Sequence, residues 1–429
     1  MAPFFKLQNV IKHYDWGSPE WIPGLLGKPN TGGLPWAELW MGVHPGGPSV
    51  VKGGGETLTA LIDQNPSYLG GEIRENFGTL PYLFKLLAVA KPLSVQVHPD
   101  SDQARRGWER ENKLGIPLSG ANRNYKDPNH KPEILCALSP FKAMCGFRPL
   151  REISLLLKSF FSRAGAPLAG VLPGLLPSPA EADNPALFQN PAGILRNFLK
   201  TLLGLSGEYR RALGKYAQEA QEWLTKEQGE YREIWELCAF FAELYPEDPA
   251  VIAPLYLNLI NLAAGEAVYL SPGVLHAYIQ GFGVELMANS DNVLRGGLTP
   301  KHIDIDELLC ILNFSAEKPL IIKPSGVMDK NPAGEDPHCS FFKYPAPCRE
   351  FSLSVLQSRN GRGSIPERGP LIIIVTEGQA VVSGEKPGET MFLNRGEAAF
   401  IPAWEGAPPS FSGTYTLYAA GPGSGLPGL

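Results

Sequence analysis

The chain has 429 residues, 44% of them hydrophobic and 19% charged, with a formal net charge of −5. That composition suits a protein with ample material for a large core, divided into about three domains at roughly 150 residues each. The slight acidic balance argues against non-specific nucleic-acid or membrane partners, so any anionic substrate would need a local cationic cluster.

The opening stretch MAPFFKLQNVIKHYDWG has no uninterrupted apolar core of the signal-peptide kind. No stretch approaches the ~18 apolar residues expected of a spanning helix. The six cysteines (Cys136, Cys145, Cys238, Cys310, Cys339, Cys348) lack CxxC spacing and read as free thiols in a reducing compartment. The cytoplasm is the expected location.

Residues 1–150 hold short apolar segments broken by Gly/Pro turns, such as Glu38 to Val43 before His44-Pro45-Gly46-Gly47-Pro48. That punctuation predicts short strands and loops. Near the end of this region, Ser94, Gln96 and His98 alternate along one apparent strand and so share a face. A hydroxyl, an amide and an imidazole are poor core material and good site material. Residues 165–192 carry six prolines and read as a surface connector. Between about 194 and 244 the period changes: Tyr209, Leu213, Tyr216, Ala220 and Trp223 recur at helical spacing, as do Ile234, Leu237, Phe241 and Leu244.

Strand-like sequence returns with Gly265-Glu-Ala-Val-Tyr-Leu-Ser-Pro272 and continues to His276. Gly396-Glu-Ala-Ala-Phe-Ile-Pro402 looks like a second copy of the same unit. The same count from Gly396 lands on Ala407, and no histidine follows His338. Two related β-barrels are implied, the first with polar equipment and the second without. The expected organisation is a discontinuous first barrel (1–150 and 255–320), a helical insertion (151–254) and a degenerate C-terminal barrel (321–429).

Of seven histidines, His98 and His276 sit at strand ends beside Pro/Gly turns, and Glu133 opens an apolar strand. Gln96, His98, Glu133 and His276 make a four-membered set of N and O donors. Zinc accepts such donors, and two histidines with one carboxylate also suit Fe(II). Lys131 shares the strand face of Glu133. Tyr278 shares the face of His276, where it could donate to a substrate hydroxyl or simply pack. The loop from Glu285 through Asp291 and Arg295 to Lys301 offers a carboxylate that could act as a general base and cations that could recognise phosphate or carboxylate. His13, His302 and His338 read as surface residues, and His130 as a turn residue. His44 has no identifiable partner, and Glu38 no distinct role.

Several segments together resemble the type I phosphomannose (mannose-6-phosphate) isomerases, zinc-dependent cupin enzymes. They are Tyr14-Asp15-Trp16-Gly17, Ala37 to Gly42, Pro92 to Pro99, Asn129 to Glu133, Phe147-Arg148-Pro149, His276-Ala277-Tyr278, and Ser290 through Lys301. They occur in family order over about residues 1–150 and 255–305. The resemblance implies a mainly β fold of two cupin-type (jelly-roll) barrels with a helical domain. It implies one zinc per chain on Gln96, His98, Glu133 and His276, and an active-site arginine at Arg295. Acid/base and phosphate-binding candidates fall on Glu285, Lys131, Ser94 and Lys301, with Tyr278 and Asp291 among the substrate contacts. The implied reaction interconverts mannose 6-phosphate and fructose 6-phosphate through a cis-enediolate. A sugar phosphate is the expected partner, and a monomer the expected state. Gly296 departs from the alanine of many members and bears on loop stiffness. A metal-dependent cupin oxygenase and a non-catalytic sugar-phosphate binder are the competing readings.

Overall fold

The computed structural model describes residues 4–163, 176, 190–224, 231–324, 329–330, 338–385 and 389–423. Most of the proline-rich connector therefore lies outside the described residues. The rest is mainly β, in an eleven-stranded and a nine-stranded sheet, with helices between and around them. Neither path of paired strands returns to its own first strand, so the sheets are open where closed barrels were expected.

One strand organises the eleven-stranded sheet. His276–Ala288 pairs through its first residues with Phe141–Phe147 and, at His276, with Gln96. From Gly281 onward it pairs instead with Tyr82–Val89 and Glu133–Ala137. The register shifts between Tyr278 and Gln280, and Gly281 has φ of 143°. A Cβ on Gly281 would lie 2.5 Å from the Phe141 ring, so glycine is what lets the strand change partners there. The interior that this strand borders is filled at one end by Leu87, Leu135, Phe141, Ala143 and Tyr278. Period-two alternation points Lys85, Glu133 and Glu285 into the same interior.

Helices run over Leu150–Phe160, Pro191–Leu203, Gly207–Leu224 and Arg232–Leu244. Leu213, Ile234, Leu237 and Phe241 are buried as their spacing predicts, whereas Leu244, at the helix end, is 40% exposed. The side chains of Ala220 and Trp223 lie outside the described residues. The helical core is continuous with Val95, Val97, Met144 and Phe147. The strand Val95–Val97 thus turns its valines into the helices and leaves its other face for Gln96.

The internal repeat is matched in three dimensions. Gly265 (φ 87°) and Gly396 (φ 81°) both adopt left-handed turns. Glu266 and Glu397 each accept a backbone N–H three residues upstream, from Ala263 and Asn394 respectively, both at 2.9 Å. The strands that follow pair antiparallel with Glu133–Ala137 and with Leu371–Ile374. Leu270 faces Glu133 in the first copy, and Ile401 faces Leu371 in the second. An apolar residue therefore stands in the C-terminal copy where the first carries its carboxylate.

The two sheets share one core, in which Tyr82, Phe84 and Ile134 meet Phe351, Ile372 and Phe400. The first strand, Phe5–Gln8, crosses over to pair with Ala398–Ile401. None of the six cysteines forms a disulfide. Among the described residues no helix is long and apolar enough to cross a membrane.

Candidate metal centre and active site

His98, Glu133 and His276 are all buried, and their donor atoms lie within 4.8 Å of one another. His98 follows the strand Val95–Val97, His276 begins its strand, and Glu133 begins another. His98 Nε2 is 3.4 Å from Glu133 Oε1, and His276 Nε2 is 3.5 Å from Glu133 Oε2. Gln96 Nε2 is 3.3 Å from His276 Nε2. Tetrahedral bonds of about 2.0–2.2 Å put neighbouring donors roughly 3.3–3.6 Å apart, which is the spacing found here.

Both imidazoles are set as ligands. His98 Nδ1 lies 2.7 Å from the Asn292 carbonyl and His276 Nδ1 lies 2.9 Å from the Val274 carbonyl. A carbonyl only accepts, so each Nδ1 donates and each Nε2 keeps its lone pair toward the cluster. Burial, then Lys131, push the His98 imidazole down to about 4, so it is neutral at physiological pH. Glu133 behaves oppositely. Burial favours its protonated form, but the Lys131 cation outweighs this and holds it ionised. Lys131 Nζ sits 2.6 Å from Glu133 Oε1. The other oxygen, Oε2, is buried without a hydrogen-bond partner. An unpartnered carboxylate oxygen between two inward lone pairs fits a divalent cation. Gln96 would turn its amide over to offer Oε1, the only amide atom with a lone pair to give.

Glu285 lies on the same interior face, paired across strands with Lys85. Lys85 Nζ is 3.0 Å from Glu285 Oε2, and both side chains are buried. Burial raises the Glu285 pKa, only partly offset by Lys85. Burial also opposes the Lys85 charge, but Glu285 and Glu38 more than restore it. The Tyr278 hydroxyl is buried without a hydrogen-bond partner, near Glu285 and Glu133. Lys85 is the site residue that sequence reasoning missed. Its signal was present: a single cation in an eight-residue strand whose every residue is buried.

The loop 289–292 is tied to residues 126–129. Asn292, fully buried, accepts from Lys126 N at 2.7 Å and donates to the carbonyls of Asp127 and Asn129, both at 2.8 Å. The backbone that orients His98 is thereby locked. Asp291 faces His44, whose Nδ1 accepts from Gly46 N–H at 3.1 Å. That leaves the proton on His44 Nε2, 3.4 Å from Asp291 Oδ1, and this contact holds the Asp291 pKa down. His44 thus has a partner after all, and Glu38 accepts from the Trp40 indole.

Arg295 stands beside Gln96 across the strand pair, at a register shift between Arg295 and Gly297. It is half-buried and forms no ion pair among the described residues; burial lowers its pKa. Lys301 is exposed, and burial of its stem and the Arg295 charge lower its pKa. Two cations near enough to feel each other's charge, neither in an ion pair among the described residues, suit an anion. Ser94 is half-buried just ahead of the strand. A Cβ on Gly296 would meet only side-chain ends, the nearest Leu275 at 3.2 Å, so an alanine would ask little of the loop. A cleft of about 720 Å³ between Trp21, Phe282 and the C-terminal strands contains none of these residues.

Residues 4–150 match the family described as phosphomannose isomerase type I, catalytic domain. The mannose-6-phosphate isomerase of Escherichia coli (strain K12) is 37% identical over 93% of this chain and 95% of its own length. That of Salmonella typhimurium is 38% identical over 96% and 98%. A crystal structure of the Salmonella typhimurium mannose 6-phosphate isomerase bound to fructose 6-phosphate and zinc is similar to this chain at a TM-score of 0.82 and 36% identity, covering 98% of this chain and all of that one. A structure of a mannose 6-phosphate isomerase bound with zinc and yttrium is similar at 0.83 and 36%, over the same shares.

Proposed function

The chain belongs to the mannose-6-phosphate isomerase family of enzymes, and on that premise we propose that it interconverts mannose 6-phosphate and fructose 6-phosphate by proton transfer through a cis-enediolate. The observation that carries this reading is the buried His98, Glu133 and His276 cluster, with half-buried Gln96 against it, beside the Lys85–Glu285 pair. One zinc ion would be held by those four residues. When bound, it would supply Lewis-acid stabilisation of the negative charge that develops on the sugar oxygens.

The remaining work falls to side chains. Glu285 exchanges the proton between C2 and C1, because burial makes it a stronger base than an ordinary carboxylate. Lys85 keeps that carboxylate aimed and ionised. Tyr278 has a hydroxyl free to bond a substrate hydroxyl. Arg295 stabilises the enediolate or positions the open chain. Lys301 and Ser94 hold the phosphate. Lys131 adds a cation at the edge of the metal site, and Asp291, backed by His44, contacts the sugar.

The fold supporting this site is two cupin-type jelly rolls, the first from 1–150 and 255–320 and the second from 321–429, with helices at 151–254. The repeat of turn and strand at Gly265 and Gly396 supports that division. A monomer is the proposed state, since the four metal donors are complete within one chain. Six cysteines without a disulfide suit the cytoplasm.

A coupled assay of fructose 6-phosphate formation, with and without a chelator, tests the reading. Turnover by the zinc-loaded protein that chelation abolishes is expected. Absence of turnover, or iron content with oxygen consumption, overturns it. In deuterated water the enediolate route puts solvent deuterium into product; complete retention of the original hydrogen points to a hydride shift instead.

A further inference from the structure

We infer that Glu350, from the C-terminal unit, is a positioning residue for the active-site segment Asn129 to Lys131. This rests on the isomerase reading above. His130 Nε2 and Glu350 Oε1 are 2.7 Å apart. A carboxylate accepts, so the imidazole donates, and both groups are half-buried. Glu350 is itself firmly mounted. Its second oxygen accepts from the Arg349 N–H at 3.1 Å, and the Arg349 guanidinium donates to Asn76 at 3.1 Å. The next residue, Phe351, is fully buried in the core that both sheets share.

The segment it holds is clamped on both flanks. The Asn129 carbonyl accepts from Asn292 Nδ2 at 2.8 Å and Ser290 Oγ at 3.2 Å. The Pro132 carbonyl accepts from Ala288 N at 3.1 Å. Between these anchors stand His130 and Lys131. Lys131 reaches inward to Glu133, and His130 reaches outward to Glu350. Successive Cα atoms are about 3.8 Å apart, so an ångström of freedom at residue 130 is passed to residue 131. Among the described residues no metal-binding cluster falls in the C-terminal unit, and Leu371 stands there at the place of Glu133. Its part in turnover is to fix, through Glu350, the backbone that aims Lys131 at the metal site.

The test uses the zinc-loaded full chain and three variants, Glu350→Ala, Glu350→Gln and Glu350→Asp. Glu350→Ala should lower kcat by between about tenfold and a hundredfold, the loss that misplacement by ~1 Å brings. KM, zinc stoichiometry and melting temperature should stay near wild type. Glu350→Gln, which keeps an oxygen acceptor, should recover most of kcat, and the shorter Glu350→Asp less. A wild-type kcat in Glu350→Ala overturns the inference, and so does a loss of kcat that only tracks lost zinc or lost folding. Amide exchange over residues 126–133 reads the clamp without turnover: it should quicken in Glu350→Ala, and unchanged exchange overturns the inference even if the wild type shows no isomerase activity. Absent wild-type turnover would overturn the isomerase reading alone.

Discussion

Lys85→Met removes the buried cation beside Glu285 while keeping much of its volume. Two unit charges 3.0 Å apart attract by about 5–6 kcal/mol at an effective dielectric of ~20, an upper bound on the pairing. Breaking a buried pair costs about 3–5 kcal/mol when the remaining charge has no escape. Glu285 has one, because it can take a proton. Its pKa, already raised by burial, rises further without Lys85. The folded variant then binds a proton that the unfolded chain releases, so its stability falls as pH rises through that interval. Activity moves the other way, since the proposed base must be ionised. We expect kcat/KM at neutral pH to fall by about a hundredfold or more, equivalent to ~2.7 kcal/mol, with partial recovery on the alkaline side. The assay is a pH series of kcat/KM together with melting curves at mildly acidic and mildly alkaline pH. A variant with the wild-type pH profile and no new pH dependence of melting would refute the reasoning.

Three further outcomes are expected. His98→Ala removes a donor, so zinc content by elemental analysis and turnover should fall together, by more than the roughly 10–100-fold that loss of an outer partner costs. Arg295→Ala should keep zinc and lower kcat by about 10²–10³-fold, the cost of removing a donor to a developing oxyanion; normal kinetics would take it off the catalytic list. Gly281→Ala places a Cβ 2.5 Å from the Phe141 ring at a φ of 143°, and should cost about 2–4 kcal/mol in thermal unfolding. Gly24→Ala, whose added Cβ meets nothing within 4 Å, is its neutral control.

Much of the site was legible in the chain because strands have a period of two and histidines are few. Gln96 and His98 could be put on one face from spacing alone, and the unit at Gly265 could be aligned on the unit at Gly396. In that second copy Leu371 stands opposite Ile401, where the first has Glu133 opposite Leu270. Helical spacing likewise located the helices around Leu213 and Phe241.

Other features depend on which strands come together. Lys85 read as one cation in an apolar run until the pairing Glu285 to Lys85 put a carboxylate across from it. His44 had no partner along the chain because Asp291 lies far away in sequence and is brought near by the loop that Asn292 ties down. His130 read as a turn residue because its partner Glu350 is distant in sequence, in the bend just ahead of the strand Ser352–Ser364 of the other sheet. Composition and periodicity record what each residue's own segment does. Pairing of distant charges is decided by strand register and by the packing of the two sheets, so only the tertiary structure could reveal that Glu285 has a buried cation beside it and that His130 meets Glu350.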